Sequence, residues 1–434
     1  MRINKIDTFR AFRNRNYALF FTGQSISQIG TWMQRTAISW VIYSLTHSPF
    51  MLGLSVFTAQ FPSFLFSLYG GIIADRYQRY RILLITQSAS LLQALVLAIL
   101  VLSGHSRLWE IFALNVILGT INAFDVPARQ PLVHELIKDK SELPNAMALN
   151  SSMVNIARLI GPAFSGIILQ KFGSGVCFLL NALSFLAVLG SLTLLKLPIH
   201  VKPPEKKKAI LEFRDGFRYL KNTPSISMLI LMLGLLCFLV MPYDTLLPVF
   251  AKTIFKGNAL TFGYIYSFIG MGAIAGTIFL ASIKPGINLR KVLLINTSLL
   301  GIALIGFSHL THFPNAMPFA VLAGFGTMSL STIFITIVQV RSAHNMRGRM
   351  ISYVAMAMFG MLPLGGLMVG TISQKIGAPD TILIQGCIAI LIALVFSKTL
   401  INDHREEQLS VQKQPDMTAE ALTRGLEETE TVIR

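Results

Sequence analysis

Twelve apolar blocks, each long enough to cross a bilayer as a helix, follow one another along this chain. A helix needs about 20 predominantly apolar residues to span the hydrocarbon core. A window of about 19 residues places the blocks at 17–45, 50–74, 82–103, 108–126, 147–170, 176–195, 225–250, 260–282, 292–310, 316–340, 350–374 and 380–398. They are too long for strands and do not alternate, so the expected fold is an all-α membrane protein of twelve transmembrane helices. Composition agrees. Only 13% of the 434 residues are charged and the mean hydropathy is +0.61, against roughly 25% charged residues in a soluble domain. A water-soluble enzyme of this size is excluded, as are disordered and fibrous chains.

The net charge of +17 comes from 37 Lys and Arg against 20 Asp and Glu. The basic residues stand in short runs between apolar blocks. That is the pattern of cytoplasmic loops, so no nucleic-acid partner is expected. With the N-terminus inside, the inner segments hold 30 Lys and Arg and the outer loops 5; Arg35 and Arg158 lie within spans. This bias predicts both termini on the cytoplasmic side and an even number of spans. Met1–Asn16 is basic but lacks a signal peptide's short apolar core and cleavage site, so the first block reads as a retained span. Cys177, Cys237 and Cys387 lie in apolar blocks without a short spacing, and read as buried free thiols with no disulfide or metal. No nucleotide-binding loop, dinucleotide fingerprint or catalytic constellation stands out. His134-Glu135 is not completed to a zinc motif, because Lys138 occupies the second His position. No enzyme activity and no cofactor are expected.

The chain divides into an N-terminal segment (1–16), a first six-span bundle (17–195), a linker (196–224), a second six-span bundle (225–400) and a polar tail (401–434) with a short helix expected near 417–429. The linker carries Pro198, Pro203, Pro204 and the run Lys206-Lys207-Lys208. Phe213, Phe217 and Leu220 recur at helical spacing within it, which predicts an amphipathic helix on the inner membrane surface. An internal repeat supports two related halves. Gly161, Gly166, Gln170, Lys171 and Gly173 of span five recur 204 residues on as Gly365, Gly370, Gln374, Lys375 and Gly377 of span eleven. Arg81–Ile85 likewise resembles Lys291–Ile295. Paired six-helix halves are a transporter plan, with the substrate between them near the midplane.

Three motifs carry a family resemblance. Gly71-Ile-Ile-Ala-Asp75-Arg76-Tyr-Gln-Arg79-Tyr-Arg81, between spans two and three, resembles the loop signature of the major facilitator superfamily, with Gln78 in place of its usual Gly. A Gly at this position allows close helix approach. Asp75 can pair with a cation or cap a helix N-terminus. The loop is expected to latch the two halves on the inner side. Asp125 and Arg129, at the inner end of span four, have pairing spacing and join this inner-gate set. The corresponding loop of the second half, Ser282–Gly286, lacks the Asp. Ala157-Arg158-Leu-Ile-Gly161-Pro162-Ala-Phe-Ser165-Gly166 resembles the fifth-helix motif of exporters in the same superfamily. Gly30–Arg35, Asp125–Gln130, Leu143–Ala146 and Arg347–Arg349 resemble its branch of enterobactin exporters and related secretion effectors. The superfamily's usual Arg in span four would fall at Asn115, so that residue's coupling chemistry is not carried over.

Ionisable residues inside spans are functional candidates, since each costs about 2.5–3.5 kcal/mol at the bilayer centre on an insertion scale. Arg35 and Arg158 are candidates for an anionic substrate, against a structural pairing with carboxylates or carbonyls. Asp244, in the outer third of span seven, is the candidate proton-coupling group, against a carboxylate that reaches the interface. Gln28, Gln60 and Asn155 add polar groups, and Trp32, Trp40, Phe238 and Tyr243 aromatic surface. The resemblance implies a monomeric secondary transporter of a bacterial inner membrane, exporting a siderophore or drug-like molecule, with protons and membrane lipids as further partners. A lysophospholipid flippase of the same fold and a non-transporting membrane sensor or scaffold are the rival readings.

Overall fold

The computed structural model describes residues 9–137, 139–195, 209–284 and 286–400. The linker's proline-rich and lysine-rich part and the tail with its expected helix lie outside these residues. The described chain forms twelve long helices: α1 (Arg15–Thr46), α2 (Pro49–Arg76), α3 (Arg79–Leu102), α4 (Leu108–Leu136), α5 (Leu143–Phe172), α6 (Ser174–Thr193), α7 (Pro224–Ile254), α8 (Ala259–Ala281), α9 (Leu289–Ser308), α10 (Phe313–Arg341), α11 (Arg347–Ile376) and α12 (Ala378–Leu400). Eleven of them are apolar and long enough to cross a membrane. The twelfth, α1, has the length but buries polar side chains, Gln24, Ser27 and Gln34 among them.

Successive helices run in alternate directions, which puts Arg10, Arg79, Glu135, Arg349 and Leu400 at one end of the bundle, here called the basic end. The turns at residues 46–49, 172–174 and 376–378 lie at the opposite end. The exterior is apolar: Ile85 and Ile295, which match in the Arg81–Ile85 repeat, are 70% and 69% exposed, while Leu83 and Leu293 are fully buried. Backbone polar groups at the helix starts are met locally. Ser48 caps α2, with Pro49 at its first position, and Asn258 caps α8.

The first half is tied together by a buried amide chain. Asn181 of α6 donates to Gln34 of α1 (2.7 Å), Gln34 to Gln93 of α3 (3.2 Å), and Gln93 to the Leu114 carbonyl of α4 (3.3 Å).

The 204-residue repeat is visible as matched packing. A Cβ on Gly161 would lie 2.6 Å from the Trp32 Cβ of α1, and one on Gly365 would strike the Phe238 carbonyl of α7. A Cβ on Gly166 would meet Gly263 of α8 at 3.1 Å, and one on Gly370 would meet Gly53 of α2 at 3.0 Å. The first glycine of each pair thus seats its helix on the leading helix of its own half. The second seats it on the other half. Gly173 and Gly377, with φ of 80° and 90°, turn the chain into α6 and α12 in a conformation that L side chains resist.

Several expectations are corrected. Span four does not end near 126: α4 continues through Pro127 and Pro131 to Leu136, and α5 starts at Leu143. Ala128, Leu132 and Leu136 recur at helical spacing and are buried against Tyr17, Phe20, Leu83 and Val188. That stripe holds the helix past its prolines, whereas a hydropathy window averages it with Arg129, His134 and Glu135. Span seven is not one regular helix. The α-helix stops at Leu239, gives way to a 3₁₀ stretch over Met241–Leu246, and ends in a π turn at Phe250–Ile254. Pro242 and Pro248 remove two backbone donors there.

The linker helix, Ala209–Asn222, does more than lie on a surface. Asp215 faces Arg349 of α11 (3.9 Å), the Ala343 N–H donates to the Tyr219 hydroxyl (3.1 Å), and Gly216 packs beside Tyr353. Phe217 remains exposed and Leu220 is half-buried; the Phe213 side chain lies outside the described set. Cys387 is exposed, unlike Cys177 and Cys237.

The two halves meet along α2–α11 and α5–α8, with side-chain contacts at the end opposite the basic one. Tyr43 and Thr253 share a hydrogen bond (2.7 Å), as do Ser48 and Gln374 (2.7 Å), and Trp40 stacks on Phe262. The α2–α11 seam runs from Pro49 and Gly370 to Phe64 and Gly360. Beyond it, Leu65, Phe66, Leu68 and Tyr69 are all exposed. Gly370→Val should part this seam. With Cys387 replaced by Ser, cysteines at Ser48 and Gln374 should then cross-link several-fold less efficiently than on the Gly370 background. Unchanged cross-linking would show that the close approach is not needed.

Candidate functional site

Chemistry gathers at two places. The first lies at the basic end of the first half. Asp125 is 2% exposed. Its carboxylate accepts hydrogen bonds from Thr86 (2.9 Å), Gln87 (2.7 Å) and Arg129, four residues on. Arg79 pairs with Glu135 of α4 and reaches Asp75 at 4.0 Å. Arg76 and Arg81 are exposed. The Asp125–Arg129 pairing is the one its spacing predicts. One other expectation fails. A Cβ on Gly71 would touch nothing, whereas one on Gly70 would collide with the Ala123 carbonyl; Gly70 makes the close approach. The ion pairs Arg79–Glu135, Arg79–Asp75 and Arg129–Asp125 fasten α2, α3 and α4 together.

The second place lies between the halves, around Trp32 of α1. The Arg35 guanidinium carbon sits 5.2 Å from the centre of this ring, and that of Arg158, from α5, sits 5.6 Å away. Each contact is a cation–π interaction, worth about 0.5–2 kcal/mol depending on desolvation. Gly161 makes the arrangement possible, because any side chain there would displace Trp32. Across from Trp32, the Tyr266 hydroxyl of α8 donates to the Asp244 backbone carbonyl (3.4 Å). Tyr266 lies within electrostatic reach of Asp244, Arg35, Arg158 and Tyr243. Tyr243 lies close to Thr327 of α10, and the Arg158 guanidinium meets the Met328 thioether at 3.9 Å.

Arg35, Arg158 and Asp244, read separately from three spans, are therefore brought to one site. Neither arginine has a carboxylate within 4.0 Å among the described residues. Asp244 sits in the non-α stretch of α7. The carbonyls of Leu239 and Val240, freed by that break, accept hydrogen bonds from Gln385 of α12 (3.2 and 3.3 Å). Irregular backbone at membrane depth survives where protein satisfies it or a cavity borders it. Asn155 spends its amide on the Ser151 carbonyl (3.1 Å), and its own carbonyl oxygen is shielded without a partner. Gln28 and Gln60 are half-buried and no described hydrogen bond joins them to the Trp32 site. Tyr266, Thr327, Met328 and Gln385 escaped the sequence reading. They lie on other helices, and no spacing along the chain marks them.

Comparison with known proteins agrees with the helical membrane fold. The family described as transmembrane secretion effector matches residues 6–431. The staphyloferrin A transporter of Staphylococcus aureus is 29% identical over 385 residues, covering 87% of this chain and 94% of that protein. The enterobactin exporter EntS of Salmonella typhi is 26% identical over 360 residues, covering 81% and 82%. Among solved structures, the nucleoside transporter NupG (D323A mutant) superposes with a TM-score of 0.74 at 13% identity, covering 88% of this chain and 98% of that one. A bacterial homologue of the lysosomal transporter Spinster, in an inward-facing and unoccupied conformation, gives 0.69 at 14% identity, covering 89% and 98%. The chain is thus a multi-pass membrane transporter, not an enzyme, and belongs to the transmembrane secretion effector family of the major facilitator superfamily.

Proposed function

We propose that this transporter exports a siderophore or a similar amphipathic small molecule across a bacterial inner membrane by alternating access. The observation that carries the reading is one-sided closure: the halves are joined at the end opposite the basic one by Tyr43–Thr253 and Ser48–Gln374, whereas on α2 beyond the Phe64–Gly360 contact Leu65, Phe66, Leu68 and Tyr69 are exposed. By the positive-inside rule the basic end and both termini face the cytoplasm. The conformation is then inward-open, ready to load from the cytoplasm. The bundles 17–195 and 225–400 rock against each other about the Trp32 site, with 196–224 as their tether, 401–434 as a cytoplasmic tail and a single chain as the working unit. On closing inward, Asp75, Arg76, Arg79 and Arg81 at the end of α2 approach α11, completing the inner gate. Outward direction is supported by the Gly161-Pro162 motif and by the relative named an enterobactin exporter. Asp244, beside the two arginines and in broken backbone, is the proton-binding group.

A deletion strain grown under iron starvation should retain one chelator in its cells, and its medium should hold about tenfold less of it. Untargeted mass spectrometry of cells and medium checks this, and wild type should restore export. If no metabolite changes sides, the siderophore reading falls. Wild-type export should also drop when an uncoupler collapses the proton gradient, and Asp244→Asn, expressed equally, should export at background. Uncoupler-resistant export by wild type would remove the proton from the mechanism.

A further inference from the structure

We infer that the Trp32 site binds a polycarboxylate, an anion presenting at least two carboxylates on a carbon skeleton, one to Arg35 and one to Arg158. The inference rests on the transporter reading above and names its substrate class. Arg35 lies 20 residues into α1 and 11 residues before its end, yet it is exposed. At that depth an arginine is tolerated where it faces a water-filled cavity or a partner. Arg158 is half-buried, and its described contacts are the Trp32 ring and the weakly accepting Met328 sulfur. Both planar forks therefore keep donors for oxygen acceptors, in the geometry that takes a carboxylate two-pronged.

The two forks come from different helices and share one indole. A compact anion such as inorganic phosphate answers one fork. Two forks that reach one ring from different helices can each take a carboxylate of the same carbon skeleton, and the indole and the Met328 thioether supply apolar surface for that skeleton. The Tyr266 hydroxyl adds a polar group on the second half's side. The acid in this neighbourhood is Asp244, which acts as an internal anion in competition with the ligand. Neutralising it strengthens the pull on the ligand.

The test uses the purified full-length chain with Trp40→Phe and Trp109→Phe, so that Trp32 is the sole tryptophan of the original three. Citrate is the probe, with acetate and inorganic phosphate as controls at matched ionic strength. Citrate should change Trp32 fluorescence saturably, with a midpoint about tenfold or more below those of acetate and phosphate. Arg35→Gln and Arg158→Gln should each raise the citrate midpoint about tenfold or more, as expected for loss of a charged hydrogen bond. Arg35→Lys should fall between wild type and Arg35→Gln, and Asp244→Asn should lower the midpoint. Should a Gln variant fail to fold, Arg35→Lys and Asp244→Asn still decide by moving the midpoint in opposite directions. Equal midpoints for citrate and acetate, or unchanged midpoints in the arginine and aspartate variants, would overturn the inference. Such a failure beside a metabolite that changes sides in the deletion strain removes the polycarboxylate and leaves the exporter. Citrate binding without any exported metabolite upholds the site and removes the exporter.

Discussion

The close approach of helix backbones at glycines decides how this molecule is joined. In lipid no hydrophobic force draws helices together, so contact distance and interhelical hydrogen bonds carry the association. Gly53 against Gly366 and Gly370, and Gly166 against Gly263, bring the two halves within backbone contact. These seams involve van der Waals surface, Tyr43–Thr253 and Ser48–Gln374. Within the first half the bonds differ in kind: a buried amide chain through Gln93, Gln34 and Asn181, and a buried carboxylate with an arginine partner. Breaking a buried ion pair costs about 3–5 kcal/mol; separating packed surfaces that lipid can cover costs far less. This difference supports the proposal that the molecule parts between its halves before it loosens within one.

The polar groups of the interior follow the same division. Asp125 is fully engaged, accepting from Thr86, Gln87 and Arg129, and it locks α3 to α4. The Trp32 site is not saturated in this way. Its arginines come from the first half, its acid and phenols from the second, and no described ion pair joins them. A bound ligand that bridges Arg35 or Arg158 to Tyr266 would supply the contact between halves that the protein leaves unmade. Saturated polar clusters here serve rigidity; the unsaturated one is the site we propose for binding.

Much of the architecture was legible because lipid imposes length. Blocks of about 20 apolar residues must be helices, and the repeat at 204 residues marked two related halves, in which the structure shows matched seams at Gly166 and Gly370. What was illegible has physical reasons. The basic-end half of α4 mixes a buried stripe, Ala128, Leu132 and Leu136, with Arg129, His134 and Glu135 on its other faces, and an averaged hydropathy cancels the two. The break in α7 is held by Gln385, 145 residues away from Val240, so no local pattern announces it. Gly70 and Gly71 are adjacent, and only the direction each faces on α2 decides which one meets α4. Arg35, Arg158 and Asp244 were readable as costly residues in apolar spans. Their meeting was not readable, because tertiary packing alone brings α1, α5 and α7 together.

The fifth-helix motif ties these strands into one mechanism. Gly161 and Gly166 stand five residues apart on α5 and do different work. Gly166 admits α8 of the other half, forming the seam. Gly161 admits Trp32 of α1, and Trp32 in turn gives Arg35 and Arg158 a common ring. Arg158 itself lies one turn before Gly161 on the same helix. A displacement of α5 against α8 therefore moves Arg158 and the seat of Trp32 together, while Tyr266 moves with α8. The geometry of the charged site and the closure of the seam are set by the same short stretch of helix. A substrate that holds Arg158 in one position relative to Tyr266 acts directly on the seam, without any intermediate element to carry the signal.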